Sequence, residues 1–357
     1  MNRTPEVAVI IPTRDRMVET RTCLEALGVS ARFSGLRTEV ILVDDGSRDG
    51  TVQMARGLAR RWKNRPALRI VSLNESHGPA GARNIGVKSA QAPVIVFLDS
   101  DCIPAKKWLS FISRRLVNES LPLVIEGRTE RKTRVRPGPY DHVVENLHGG
   151  SWLTCNLAMR RNVFVKTGGF DERFNNPHCR EDSDLAFKLI EQHCRMDFEP
   201  GAVVMHPVKK GHPGKFLRES IQGIHEGLLF FRHPLAYLTR LRWFDGLFMP
   251  AYYLGFYAGA LWLVCAIYGV LPMNRESLAG MGLIGLASLA VSVFARIRKR
   301  AVTMAQFPVL VVETTVVPFT RLYWVSLGLF RACWLLARGE ITSANRGRTP
   351  SKRGYSS

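Results

Sequence analysis

Short apolar runs and amphipathic stretches alternate through residues 5–205. Val7-Ala8-Val9-Ile10-Ile11 reads as a buried strand, and residues 17–28 follow as a helix with Val18, Cys23, Leu24 and Leu27 available for packing. Glu39-Val40-Ile41-Leu42-Val43 reads as a second strand, closed by Asp44-Asp45-Gly46-Ser47. Residues 50–63 read as a helix, with Val52, Ala55, Leu58, Ala59 and Trp62 on one side and Arg56, Arg60, Arg61 and Lys63 outside. Leu68 to Leu73 is a third strand, residues 79–91 a helix, and Val94-Ile95-Val96-Phe97-Leu98 a fourth strand. Continuous apolar strands separated by helices predict a doubly wound, mainly parallel sheet in an α/β domain. In such sheets ligands bind beyond the carboxyl ends of the strands, and the acidic residues of this sequence collect there.

Beyond residue 205 the pattern changes. Over 206–246, Lys209, Lys210, Lys215, Arg218, Arg232, Arg240 and Arg242 stand against only Glu219, Glu226 and Asp245, with Phe216, Leu217, Ile221, Ile224, Leu228, Leu229 and Phe230 interleaved. That is a basic amphipathic segment suited to anionic lipid headgroups. Leu247 to Leu271 carries no charge over about 25 residues, enough to cross a bilayer. Leu278 to Ala295 is a second uncharged run, of about 18 residues, followed at once by Arg296-Ile297-Arg298-Lys299-Arg300. Basic groups flank the pair on its outer ends, while the loop Pro272 to Ser277 holds only Arg275 and Glu276. The pair therefore reads as a hairpin over 247–300 with both ends in the cytoplasm. A third apolar region, Phe307 to Ala337, is interrupted by Glu313, Arg321 and Arg331 and reads as an interfacial helix rather than a second hairpin. The tail 341–357, with Arg346, Arg348, Lys352 and Arg353, is basic and also prefers the cytoplasm. The expected organisation is thus a catalytic domain 1–205, a juxtamembrane segment 206–246, the hairpin, membrane or interfacial helices over 301–340, and the tail. The location this implies is the cell's inner membrane, multi-pass, with the first domain on the cytoplasmic face.

Charge and cysteine content narrow the classes. The chain has 357 residues and a formal charge of +20, which favours a polyanionic partner. No zinc finger, RNP or helix-turn-helix pattern accompanies it, and much of the charge sits beside the apolar runs, so anionic lipid is expected and nucleic acid is not. The seven cysteines are scattered and form no C-x-x-C, which argues against a disulfide framework or zinc ribbon. The run Val7 to Ile11 is too short for a signal peptide.

Five clusters carry candidate chemistry. In Phe97-Leu98-Asp99-Ser100-Asp101 two carboxylates sit at i and i+2 after an apolar strand. A period of two would put them on one face, where they could approach one hard cation, Mg²⁺ or Mn²⁺. Val43-Asp44-Asp45-Gly46-Ser47 places acidic groups at another strand end, either for a ligand or as a helix-capping turn. Gly78-Pro79-Ala80-Gly81-Ala82-Arg83-Asn84-Ile85-Gly86 offers backbone N–H groups and a cation to an anion, in a spacing that is not a P-loop. Glu181 and Asp182 open a helix after Gly168-Gly169-Phe170-Asp171-Glu172, where they serve its N-terminus or take a proton from a hydroxyl. His206, after Val203-Val204-Met205, is structural or a metal ligand.

Together with Val9-Ile10-Ile11-Pro12-Thr13, these pieces resemble glycosyltransferase family 2, over about residues 5–210. The resemblance implies a GT-A fold and an inverting transfer of sugar from a nucleotide diphosphate donor. It implies that Pro12, Thr13, Asp44 or Asp45, Arg83, Asp99 and Ser100 contact the nucleotide sugar, with Asp45 at the base. It implies a divalent metal on Asp101, with Asp99 and His206 beside it. Asp182 would be the general base with Glu181 its neighbour, and Trp152 and Asn156 would shape the acceptor pocket. The first strand continues into Arg14-Asp15, where members usually carry a Tyr-Asn or similar pair, and no Q-x-x-R-W follows Asp182, so non-processive transfer is expected. The membrane segments suggest a lipid-linked or cell-envelope glycan as acceptor. A nucleotidyltransferase would share fold and metal site, but usually has a Gly-rich basic signature where this chain has Pro12 to Arg16.

Overall fold

A computed structural model describes residues 4–62, 66–118, 122–244, 249–268 and 274–341, with side chains left undescribed at 240–256. The basic tail expected over 341–357 lies outside these residues except for Ile341. The chain divides into two compact units, one of residues up to 133 with 144–207, the other of 134–143 with 208–341. The first therefore ends close to the expected residue 205 but gives up residues 134–143 to the second.

The first unit runs β1 (Val7–Thr13), α1 (Met17–Ser34), β2 (Thr38–Asp44), α2 (Thr51–Trp62), β3 (Ala67–Ser72), α3 (Gly78–Ser89), β4 (Val94–Leu98), β5 (Ile103–Pro104), α4 (Trp108–Asn118), β6 (Leu123–Arg131), β7 (Asn156–Arg160), α5 (Arg161–Lys166), a 3₁₀ turn Glu172–Phe174, α6 (Glu181–Glu191) and β8 (Arg195–His206). The strands form one sheet in the order β3-β2-β1-β4-β7-β6-β8-β5. β3 through β4 are parallel, with Val9 opposite Val40 and Val96. β7 then enters antiparallel to β4 and β6, so the sheet is mixed beyond β4. β1, β2 and β4 are buried on both faces because helices cover both sides. One core layer gathers Val9, Leu24, Leu27, Leu42, Trp108 and Ile112, the other Ile10, Ile41, Phe97, Phe164 and Leu185. β3 is an edge strand and only half buried. α1 continues well past the expected residue 28, to a left-handed Gly35 cap, because Ala31 keeps the buried stripe going.

The second unit runs α7 (Lys215–Ser220), a 3₁₀ turn Ile221–His225, α8 (Glu226–Arg232), α9 (Pro234–Phe244), α10 (Met249–Ile267), α11 (Arg275–Ile297) and α12 (Gln306–Ala337). α8 crosses α12 at glycines: a Cβ on Gly227 would meet the backbone of Gly328 at 2.5 Å. Glu226, buried on α8, accepts from the Tyr237 hydroxyl (2.8 Å) and Arg321 (3.3 Å). Among the described residues, α11 is the one helix long and apolar enough to cross a membrane. α10 coincides with the first expected span, and residues 269–273 lie outside the described residues. α12 is a single helix with Glu313, Thr314, Val317, Gly328 and Leu335 on its buried side. Val312, Val316, Phe319, Tyr323, Phe330 and Trp334 form an exposed stripe at helical spacing.

Candidate active site

The carboxyl ends of β1, β2 and β4 and the start of α6 carry the acidic residues singled out in the sequence. At the first rim, Thr13 closes β1 and shares a 2.8 Å hydrogen bond between its hydroxyl and that of Thr20, fixing the strand to α1. Pro12, opposite Val43, is half-buried. Asp44 accepts from the Ser47 amide at 3.3 Å, while its other oxygen, Oδ1, is buried with no hydrogen-bond partner. Asp45 is differently placed. It accepts from the Ser76 hydroxyl (2.6 Å) and from the amides of His77 (2.7 Å) and Gly78 (3.0 Å). Those contacts tie the loop that opens α3, so three of the roughly four acceptor positions of this carboxylate are already engaged.

Arg83 on α3 is the hub of the second rim. It is buried, its guanidinium donates to Asp99 at 2.7 Å, and it lies 3.8 Å from Glu181 and 5.6 Å from the centre of the Phe170 ring. Burial opposes its charge, yet Asp99, Asp182 and Glu181 together hold its pKa above the ordinary arginine value. Three carboxylates around one cation leave excess negative charge. Burial, then the neighbouring Asp182, push Glu181 up to about 7, with Arg83 pulling the other way. Asp182 is likewise raised by burial, and it accepts from the Thr154 hydroxyl (2.8 Å) and amide (3.3 Å). The turn into α6 starts at Arg180, whose left-handed φ of 72° swings Glu181 and Asp182 into its first turn.

The expectation that Asp99 and Asp101 share one face is corrected by the structure. β4 ends at Leu98, and Asp99-Ser100-Asp101 lies in the turn beyond it, where strand periodicity does not apply. Asp99 turns to Arg83, Ser100 is buried, and Asp101 turns the other way to Arg16 at 2.8 Å. Among the described residues, the group that could hold a cation is Asp101, Cys102 and His206, whose ligand atoms lie within 4.8 Å of one another. His206 Nδ1 is 2.9 Å from the Pro207 carbonyl, which can only accept, and its Nε2 is 3.7 Å from the Asp101 carboxylate. Two electron-pair donors so placed suit a shared cation, with the carbonyl orienting the imidazole. A hydrogen bond with Cys155, together with burial, raises the Cys102 thiol well above its ordinary pKa, and the oxygen of Asp101 and nitrogen of His206 are the harder donors of the three. Oxygen and nitrogen donors that leave most positions open match Mn²⁺ or Mg²⁺ completed by phosphate and water.

Asn156 corrects a second expectation. Its carboxamide accepts from the Trp108 indole (2.8 Å) and donates to the carbonyls of Arg128 (3.0 Å) and Ala202 (2.9 Å), so it braces the sheet and is not presented to an acceptor. Trp152 is nearly buried, edge-on to Phe187 of α6 at 6.4 Å. Sequence reasoning passed over Glu126, Thr154 and Cys102. Glu126 had a signal, a charged residue directly after the apolar run Leu123-Val124-Ile125.

Comparison with known proteins meets this geometry. Residues 8–169 match the model of Glycosyl transferase family 2. The chain contains a glycosyltransferase family 2 domain over those residues. Among curated relatives of this family 2 chain, the glycosyltransferase AglE of Haloferax volcanii is 36% identical over 105 residues, 29% of this chain and 33% of that protein. The pre-mycofactocin glycosyltransferase of Mycobacterium tuberculosis is 28% identical over 251 residues, 64% of this chain and 48% of that one. The chain thus spans a third to a half of the length of these relatives. Among solved structures, the mannosyltransferase PcManGT from Pyrobaculum calidifontis, in complex with GDP-Man and Mn²⁺, superposes with a TM-score of 0.51 at 18% identity, covering 95% of this chain and 89% of that one. The family 2 chain shares the GT-A fold of that neighbour.

Proposed function

We propose that this family 2 glycosyltransferase moves a sugar from a nucleoside diphosphate donor to a hydroxyl of a lipid-linked or cell-envelope glycan, with inversion and one residue at a time. The observation that carries the reading is the Arg83 hub, where Asp99, Glu181 and Asp182 are drawn from the ends of β4 and α6 to one buried guanidinium. Carboxylates of raised pKa beside a cation are the arrangement a proton acceptor and an anionic leaving group require.

In this reading Asp182 accepts the proton of the acceptor hydroxyl, which attacks the anomeric carbon opposite the departing diphosphate. Thr154 orients Asp182 through its hydroxyl and amide. Glu181 raises the proton affinity of the site beside Asp182, and Arg83 holds Glu181 near Asp99. Asp101 and His206 would hold the divalent ion, which when bound neutralises charge on the leaving diphosphate. Pro12, Thr13, Asp44, Asp45 and Ser100 lie on the nucleotide side, with the unpartnered Oδ1 of Asp44, in place of the expected Asp45 whose oxygens are engaged by Ser76, His77 and Gly78, suited to an N–H of the base.

The second unit supports a membrane location. α11 crosses the bilayer with α10 as its hairpin partner, and α12 lies in the interface with its apolar stripe in lipid. Flotation with vesicles containing anionic lipid tests this: recovery of the full chain in the sediment whatever the lipid would reject it. The activity is tested by screening nucleotide sugars with Mn²⁺ for release of nucleoside diphosphate. One donor preferred over the panel is expected. Pyrophosphate release from a nucleoside triphosphate and a sugar 1-phosphate would show a nucleotidyltransferase instead.

A further inference from the structure

Glu126 lies in β6, away from the carboxylates that would meet substrate, and has no role in the reading above. It is 4% exposed. A buried carboxylate is costly unless hydrogen bonds meet it. Its oxygens accept from the Gly150 amide (2.6 Å) and the Trp152 amide, and the amides of Ser151 and Leu153 also turn toward it. Four successive N–H groups thus converge on one side chain. The loop they belong to turns through several left-handed residues. Gly149 and Gly150 have φ of 83° and 82°, and Trp152, a bulky residue, has φ of 49°.

The residue after this loop is Thr154, whose hydroxyl and amide hold Asp182. The loop's own tryptophan packs edge-on against Phe187, one turn along the helix that Asp182 opens. Glu126 therefore touches the base only through the backbone it folds. We propose that Glu126 is a positioning residue, an internal anion that gathers the Gly150–Leu153 amides and so fixes Thr154 against Asp182. The loop is a preformed cradle rather than an adaptable acceptor loop. The groups facing Asp182 from the surrounding elements are Arg83 on α3, Asp99 beyond β4 and Glu181 beside it on α6.

This inference rests on the transferase reading, and a double-mutant cycle separates the two. Glu126→Gln keeps the shape but turns an amide donor toward the four N–H groups. Misplacing a base by about an ångström costs on the order of a hundredfold. Glu126→Gln and Thr154→Val are each expected to lower kcat on the preferred donor to about that extent. Binding of UDP or GDP with Mn²⁺, measured by calorimetry, is expected to stay within about twofold of wild type. The combined variant is expected to fall no further than the worse single one, because both changes break the same chain of contacts. Thr154→Ser is expected to restore most of kcat. If the two losses multiply, or if Thr154→Val turns over like wild type, Glu126 has no positioning role. Should Glu126→Gln fail to fold, Glu126→Asp, which draws the carboxylate back from the four amides, takes its place in the cycle, and kcat unchanged in Glu126→Asp would overturn the proposal. Absence of sugar transfer by the wild-type chain would instead overturn the transferase reading and leave these contacts purely structural.

Discussion

Two acidic pairs in this chain look alike in sequence and behave differently in the fold. Asp44-Asp45 and Glu181-Asp182 each stand at the end of an element, followed by a small residue, Gly46 or Ser183. At the β2 rim, Asp45 takes three donors from the loop that opens α3. Its charge is satisfied by backbone and a serine, and it organises structure. At the α6 rim, Glu181 and Asp182 are crowded by each other and by Asp99, with Arg83 as their shared cation. Burial without enough donors raises their proton affinity, which is the condition a base requires. The difference is not the residue type but how many donors reach the carboxylate.

The sharpest way to break that contrast is to neutralise each rim in turn. Asp182→Asn is expected to reduce sugar transfer about a thousandfold, the scale of a lost general base, with nucleoside diphosphate binding retained. Single-turnover assays beside calorimetry check it, and transfer at the wild-type rate would remove Asp182 from the chemistry. Asp101→Ala comes next. It leaves His206 Nε2 without its facing carboxylate, and the expected loss is about a hundredfold in transfer together with loss of the response to Mn²⁺. Metal titration of activity decides it: unchanged Mn²⁺ dependence would place the metal elsewhere.

A smaller effect comes from pH. Glu181 is raised to about 7 and Asp182 is raised with it. A carboxyl so raised holds its proton more tightly in the folded chain than in the unfolded one. Its contribution to stability is therefore present at low pH and is lost as pH rises through about 7. The chemistry needs the proton gone, so kcat should climb over the same interval, by about tenfold per unit below the midpoint. Activity and the melting temperature relative to Glu181→Gln are expected to slope in opposite directions between pH 5 and 8, a window set on either side of that value. Parallel slopes would mean that the pair is not buried as a coupled acid.

Much of this was legible beforehand. The strands β1, β2 and β4 announce themselves because each is buried on both faces and so carries an unbroken apolar run. Asp182 and Arg83 were visible through short motifs in a fixed order. The antiparallel half of the sheet was not, since β7 is the short Asn156–Arg160 and β6 mixes Leu123-Val124-Ile125 with Glu126, Arg128 and Glu130. Asn156 misled for a related reason: a polar residue near a pocket and a polar residue bracing a sheet look identical until its partners, Trp108, Arg128 and Ala202, are brought in from distant positions. The turn at Asp99 defeated strand periodicity because nothing in Leu98-Asp99-Ser100-Asp101 marks where β4 stops.

The smallest expected effect tests the structural member of the pair. Asp45→Asn replaces one oxygen by an amide that faces donors, so at least one of the contacts from Ser76, His77 and Gly78 is lost in a buried setting. The expected destabilisation is about 1–3 kcal/mol. Asp44→Asn forfeits at most the single 3.3 Å contact from Ser47 and is expected to melt closer to wild type. Thermal unfolding of the two variants side by side measures this. If Asp44→Asn were the less stable of the two, the carboxylate that organises the β2 rim would be Asp44. Asp45 would then be the one left for the nucleotide, and the contrast with the α6 rim would have to be redrawn around it.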